Sequence, residues 1–228
     1  MVCGRFTFTH RQPSIVLGDY GVGLPVDFAG SYNFAPSQNI PVLYLSQEQK
    51  LVFASPWWGL VPAWLKGRAV GSPLSQARAE SAAVLPSFRE SWRKSRCLIL
   101  AEGYFEWPKR LEGGRCPPRE PYLLTLEGGR PFVIAGLLNT VPNASLAQGR
   151  VSQELNCALL TTPATKDIEW LHQRMPLLME PAAAHRWLHG EDPVGWTGRM
   201  ETRLVSQYVN NVAHHGPRCL EARPGLFD

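Results

Sequence analysis

The sequence contains no apolar run approaching the roughly 18 residues of a membrane-spanning helix, no internal repeat, no low-complexity tract and no charged tail. A membrane protein, a solenoid and a disordered chain are therefore all poor fits, and a water-soluble globular protein fits well. The chain opens Met1-Val2-Cys3-Gly4-Arg5-Phe6, which lacks the apolar stretch of a secretory leader, so a reducing compartment is expected. Its five cysteines, Cys3, Cys97, Cys116, Cys157 and Cys219, are odd in number and widely spaced. That pattern fits neither a disulfide framework nor a Cys-x-x-Cys metal knuckle. Free thiols are expected, with no structural zinc and no cofactor.

What is present is arginine and tryptophan. A formal net charge of +4 is too slight to identify a polyanion binder. Arginines, however, greatly outnumber lysines, and a guanidinium fork binds phosphate bidentately and stacks on bases. Eight tryptophans serve either as core filling or as platforms for unpaired bases. A length of 228 residues suits one domain, read as residues 1–222 with a tail at 223–228.

Apolar, β-branched segments predict strands at 42–45, 51–55, 96–101, 122–126, 132–137 and 155–161. Glu127-Gly128-Gly129-Arg130 has the residues of a tight turn, which predicts an antiparallel hairpin across 122–137. Helices are expected at 81–94, at 165–171 with Thr162 or Thr165 as cap, and at 181–188 with Pro181 in its first turn and Gly190 beyond its end. The Gly/Pro-rich stretches 109–121 and 142–153 read as loops. The sum is an α+β single domain, with a curved, mostly antiparallel, barrel-like sheet and a few peripheral helices.

Four islands carry residues capable of chemistry: Cys3-Gly4-Arg5-Phe6, Gln76-Ala77-Arg78-Ala79-Glu80, Glu102-Gly103-Tyr104-Phe105-Glu106-Trp107 and His172-Gln173-Arg174-Met175-Pro176. Each has an ordinary reading. A lone cysteine is usually a small buried hydrophobe, Glu106 a solvated loop carboxylate, His172 a helix C-terminal group, and Arg78 and Arg174 salt-bridge partners. Against this, aromatic neighbours on both sides of Glu106 would desolvate it, as in a general acid.

Together with Tyr32-Asn33-Phe34-Ala35-Pro36 and Trp58-Gly59-Leu60-Val61-Pro62-Ala63-Trp64, these islands resemble the SRAP family of SOS response-associated peptidase-like proteins, which process abasic sites. The resemblance runs in order from Cys3 to about Asn211. It implies a covalent link between an N-terminal cysteine and the aldehyde of an abasic site in single-stranded DNA, with lesions at single-strand to duplex junctions as targets. Cys3 would be the nucleophile and Gln76 would position it. Glu106 would protonate the leaving hydroxyl, and His172 would carry a second proton. Arg5, Asn33, Arg78 and Arg174 would hold the DNA around the lesion, with Pro36, Trp64, Leu65 and Trp107 as wedges or stacking faces. A monomer in the bacterial cytoplasm, associated with the nucleoid, is implied, with a nuclear location as the alternative and no membrane partner.

Two positions depart from the family pattern. Val2 stands between the initiator methionine and Cys3, so a free α-amine requires loss of both Met1 and Val2, and self-processing by the peptidase-like site would supply it. Gln76 stands where the family shows asparagine. Two other readings compete: a thiol peptidase in which Cys3 attacks a carbonyl with His172 as base, and a single-strand DNA binder that forms no adduct.

Overall fold

The most apolar segments of the chain lie at the centre of its larger sheet. The computed structural model describes residues 3–9, 20–65, 74–108, 120–140 and 155–223. In chain order the strands are β1 (Arg5–Phe8), β2 (Ser31–Phe34), β3 (Val42–Leu45), β4 (Leu51–Ala54), β5 (Trp57–Trp58), β6 (Gln76–Arg78), β7 (Arg96–Ala101), β8 (Gly103–Glu106), β9 (Tyr122–Thr125), β10 (Phe132–Thr140), β11 (Leu155–Pro163), β12 (Arg174–Pro176), β13 (Leu178–Met179) and β14 (Glu201–Leu204). The α-helices are α1 (Ala79–Ala82), α2 (Arg89–Lys94) and α3 (Pro181–Leu188). Strands β7, β10 and β11 are buried along nearly their whole length, which explains why their sequences are continuous apolar runs and do not alternate.

A five-stranded sheet has the order β14-β9-β8-β1-β2, and a nine-stranded sheet runs β12-β11-β10-β7-β3-β4, with β5 and β6 on β11 and β13 on β10. Pairing is antiparallel except where β5 and β6 run parallel to β11. Phe6, Phe8, Phe34, Tyr104 and Leu124 of the smaller sheet share one core with Leu98, Ile99, Ile134 and Leu159 of the larger. Phe105 and Leu123 point the other way, into a second cluster with Val205, Val209 and Cys219. The smaller sheet is thus covered on both faces, by the larger sheet and by the C-terminal segment. This is the curved, mostly antiparallel, single-domain α+β architecture expected from the sequence.

The hairpin expected across 122–137 does not form. Strand β9 pairs with β8 and β14, and β10 pairs with β7, β11 and β13. Strands β7 and β8 are one arm bent at Glu102, β9 and β10 are a second, and the arms pair in both sheets, β7 with β10 and β8 with β9. The antiparallel neighbour that precedes β9 in the chain is therefore β8. The Glu127–Gly129 turn, with Gly128 and Gly129 both at φ 67°, is the corner where the second arm changes sheets. Turn chemistry identified the bend, while the partner was set by the need to bury both faces of β9.

The expected helix at 81–94 is two short helices, because Ser87 and the residues around it form turns. Residues 166–171 are hydrogen-bonded turns and not a helix; Ile168 and Leu171, buried to 2% and 1% exposure, pull this segment into the core within one turn of chain. The helix at Pro181–Leu188 forms as expected, with Gly190 at φ 99° beyond it. The expected loops lie outside the described residues at 109–119 and 142–153. Among the described residues no helix is long and apolar enough to cross a membrane.

Strands β10 and β11 splay apart beyond Gly136 and Leu159, and the segment from Arg174 to Met179 fills the gap. Leu177 donates to Leu160 O on one side and accepts from the Ala135 N–H on the other, both at 2.9 Å. The mouth of this splay, the start of β6 and the end of β8 carry the site described next.

Candidate active site

Cys3 precedes β1 with φ 47°, a left-handed conformation for a residue with a side chain. Its backbone N–H donates to Glu106 Oε2 at 2.9 Å. The register of β1 on β8, Arg5 opposite Phe105, sets Gly4 beside Glu106 and delivers Cys3 to the carboxylate. Along β8, Tyr104 faces the main core, Phe105 the second cluster, and Glu106 the main core again, as the twofold alternation of a strand requires. Glu106 is 5% exposed, so it is a buried carboxylate and not a solvated loop residue. Its Oε1 accepts from the Trp107 N–H at 3.3 Å; such bonds are what make a buried acid tolerable.

From the other sheet, Gln76 Nε2 donates to Cys3 O at 3.2 Å. Both backbone polar groups of Cys3 are therefore held by side chains, one from each sheet. The thiol is fully buried, and burial, then the negative charge of Glu106, push its pKa well above the ordinary value. Burial also raises the Tyr104 phenol, with further contributions from Cys3, Glu106 and Asp167. Asp167 lies in the connection between β11 and β12, which brings that connection to the same place.

His172 closes that connection. Its Nδ1 lies 3.0 Å from the Arg174 nitrogen and 3.2 Å from the Arg174 carbonyl oxygen, so the backbone of Arg174 fixes the ring in place. The Arg174 fork meets both oxygens of Glu80, at 3.1 and 2.9 Å, and Nη2 donates to Thr161 O at 2.7 Å. Desolvation raises the Glu80 carboxyl, but the Arg174 hydrogen bond and the charges of Arg174 and Arg78 outweigh it and hold the group below its ordinary value. Arg174 is thus a salt-bridge partner at the edge of the site, and Arg78, at the end of β6, is exposed.

Arg5 and Asn33 face the C-terminal segment. Arg5 Nη1 donates to Asn33 Oδ1 at 3.0 Å and to Val209 O at 2.7 Å, and Nη2 donates to Asn210 O at 3.2 Å. Asn33 Nδ2 donates to Asn211 O at 3.0 Å and His214 O at 2.9 Å. Trp107 joins the same strap through Nε1, which donates to Asn210 Oδ1 at 2.8 Å. These residues tie the strap to the strands that carry Cys3 and Glu106. Pro36, half-buried, follows β2, while Trp64 at 59% exposure and the half-buried Leu65 follow β5; none of the three enters the hydrogen bonds around Cys3. Glu80 and Asn210 were given no role by the sequence reading. Glu80 stood inside a quoted motif, and Asn210 had no local signal at all.

Cys3 thus rests its backbone nitrogen on a buried carboxylate and its thiol in the core, between the two sheets. The model of the SOS response associated peptidase (SRAP) family matches residues 2–214, and the chain belongs to that family. It is 30% identical over 236 residues to the abasic site processing protein YoqW of Bacillus subtilis, covering 97% of this chain and 100% of that protein. It is 29% identical over 238 residues to the abasic site processing protein YedK of Escherichia coli, covering 96% and 99%. A solved protein from Bacteroides thetaiotaomicron superposes with a TM-score of 0.73 at 18% identity over 97% of this chain and 100% of that one, and shares its fold.

Proposed function

We propose that this protein traps abasic sites in single-stranded DNA by covalent reaction of Cys3 once Cys3 is the first residue of the mature chain. The observation that carries the reading is the 2.9 Å contact between the Cys3 nitrogen and Glu106. An N-terminal α-amine titrates near pH 7.7–8.0 and is partly neutral at physiological pH. The amine adds to the open-chain aldehyde carbon, and the Glu106 carboxylate takes the proton released from nitrogen. Passed to the alkoxide oxygen, that proton completes the carbinolamine; a second proton, relayed by Glu106 from nitrogen to the hydroxyl, lets water depart and leaves an imine. The thiol sulfur then adds to the imine carbon, its proton passing to nitrogen, and a five-membered thiazolidine closes. Closure is intramolecular, with the effective molarity that such geometry brings.

The order of events follows from the thiol. A pKa raised by burial and by Glu106 leaves almost no thiolate near neutrality, so nitrogen reacts first. The same feature weighs against a thiol peptidase, whose cysteine needs the opposite shift. Glu106 also lies on the nitrogen of the Val2–Cys3 peptide bond, where its acid form would protonate the departing amine as water cleaves that bond. His172 would carry a proton to the sugar or its 3′ phosphate, and Gln76 would fix the Cys3 carbonyl. Arg78 and Arg174 would meet phosphates at the site mouth, and Pro36, Trp64, Leu65 and Trp107 would separate strands at a junction. We place this monomer in the cytoplasm.

The test is denaturing electrophoresis after incubation with single-stranded DNA carrying one abasic site. The wild type gives a shifted band that Cys3→Ala abolishes and Glu106→Gln slows. An equal band from Cys3→Ala refutes the reading. If Val2 stays in place, a salt-sensitive complex without a denaturant-resistant band is expected, which is the behaviour of a reversible binder.

A further inference from the structure

Trp170 is 57% exposed, yet it is held in one place. Its indole Nε1 donates to Asp167 O at 3.0 Å. Its ring meets Tyr122 edge-on, with centroids 5.3 Å apart and an interplanar angle of 86°. The turn that carries it is anchored on both sides by the buried Ile168 and Leu171 and by the Met200 N–H, which donates to Asp167 Oδ2 at 2.8 Å. Tyr122 in turn lies directly opposite Glu106 in the pairing of β8 with β9, on the same face of the sheet. One side chain therefore separates the Trp170 ring from the buried carboxylate, and His172 follows two residues on.

An exposed tryptophan is an unusual use of a large apolar surface. One whose hydrogen-bond donor is already satisfied within its own turn, and whose position is fixed by buried neighbours, offers a flat face with little further ordering needed on binding. Unpaired nucleobases stack on such faces whatever their identity. We propose that Trp170 is a stacking platform for an unpaired base flanking the abasic sugar, and so a substrate-positioning residue. This rests on the abasic-site reading above, since it concerns the DNA that the Cys3 and Glu106 site would hold.

The test compares two single-stranded oligonucleotides by fluorescence anisotropy. One carries a tetrahydrofuran in place of the abasic sugar, flanked by adenines; the other has the flanking nucleotides replaced by tetrahydrofuran as well. The wild type should bind the first more tightly, and Trp170→Ala should shrink that preference by about 5- to 150-fold, the range of one base–aromatic stack. Trp170→Phe should keep part of it, and the melting temperatures of both variants show that they fold. A preference unchanged in Trp170→Ala overturns the proposal, as does failure of the wild type to bind either oligonucleotide. A Trp170-dependent preference without any denaturant-resistant adduct on a true abasic oligonucleotide would leave the platform standing and sink the covalent reading instead.

Discussion

Replacing Asn33 with alanine tests whether the C-terminal strap is bound into the fold as tightly as its hydrogen bonds indicate. The amide is fully buried. Three of its bonds lie at 2.9 to 3.0 Å, to the Arg5 guanidinium, Asn211 O and His214 O. Alanine removes all three and leaves two carbonyls and part of the guanidinium without this partner. At about 0.5–1.5 kcal/mol for each bond the sum is about 3 kcal/mol. For a chain of this length each kcal/mol lowers Tm by roughly 2–4 °C, so a fall of about 6–12 °C is expected in a calorimetric or circular-dichroism melt. Asn33→Asp should not rescue it, because it keeps an acceptor for Arg5 but turns an oxygen, in place of an N–H donor, toward the two carbonyls. A Tm within about 2 °C of wild type, or full rescue by aspartate, would refute the assignment of Asn33 as the hub of the strap.

Two further predictions address the core. Gly136 lies where β10 passes β7 and β11; a Cβ there would stand 2.8 Å from Cys97 Sγ and 3.2 Å from Ala158 O, so Gly136→Ala should lower stability by about 1–3 kcal/mol in urea unfolding, and a neutral result would contradict the packing. Burial raises the thiols of Cys3, Cys97 and Cys157, with Glu106 adding to the first and Cys97 to the last. The folded protein thus keeps protons that the unfolded chain releases above about pH 8.5. Stability should be unaffected by these groups below that pH and fall above it, by up to about 1.4 kcal/mol per pH unit for each thiol. Unfolding curves at pH 7, 9 and 10 check the sign, and the slope should lessen in Cys157→Ala or Cys97→Ala.

The strands were legible wherever burial on both faces left a continuous apolar run, as in β7, β10 and β11. Pairing was less legible. The two glycines at 128 and 129 mark a bend equally well whether the chain returns on itself or passes to another sheet, and only the surroundings of Leu123 and Leu124, which face opposite cores, decide it. The segment 166–171 has helical composition but forms successive turns, in which the Ile168 N–H donates to Thr165 O, the Leu171 N–H donates to Ile168 O and Asp167 Oδ2 accepts from the Met200 N–H. In the site, Cys3, Gln76 and Glu106 were readable from motifs, and the structure joins them by direct hydrogen bonds. Arg5 and Asn33 were readable as important but not for their partners, because the strap that they hold is some 180 to 200 residues away in sequence and has no motif of its own.

The central claim is that the Cys3 nitrogen, freed from Val2 and resting on Glu106, is the atom that takes the abasic sugar. Intact mass after incubation with an abasic oligonucleotide tests it most directly. The account predicts one new species, equal to the chain beginning at Cys3 plus the oligonucleotide minus one water. An adduct on a chain that still carries Val2, or an adduct of the same yield on Cys3→Ala, would contradict it.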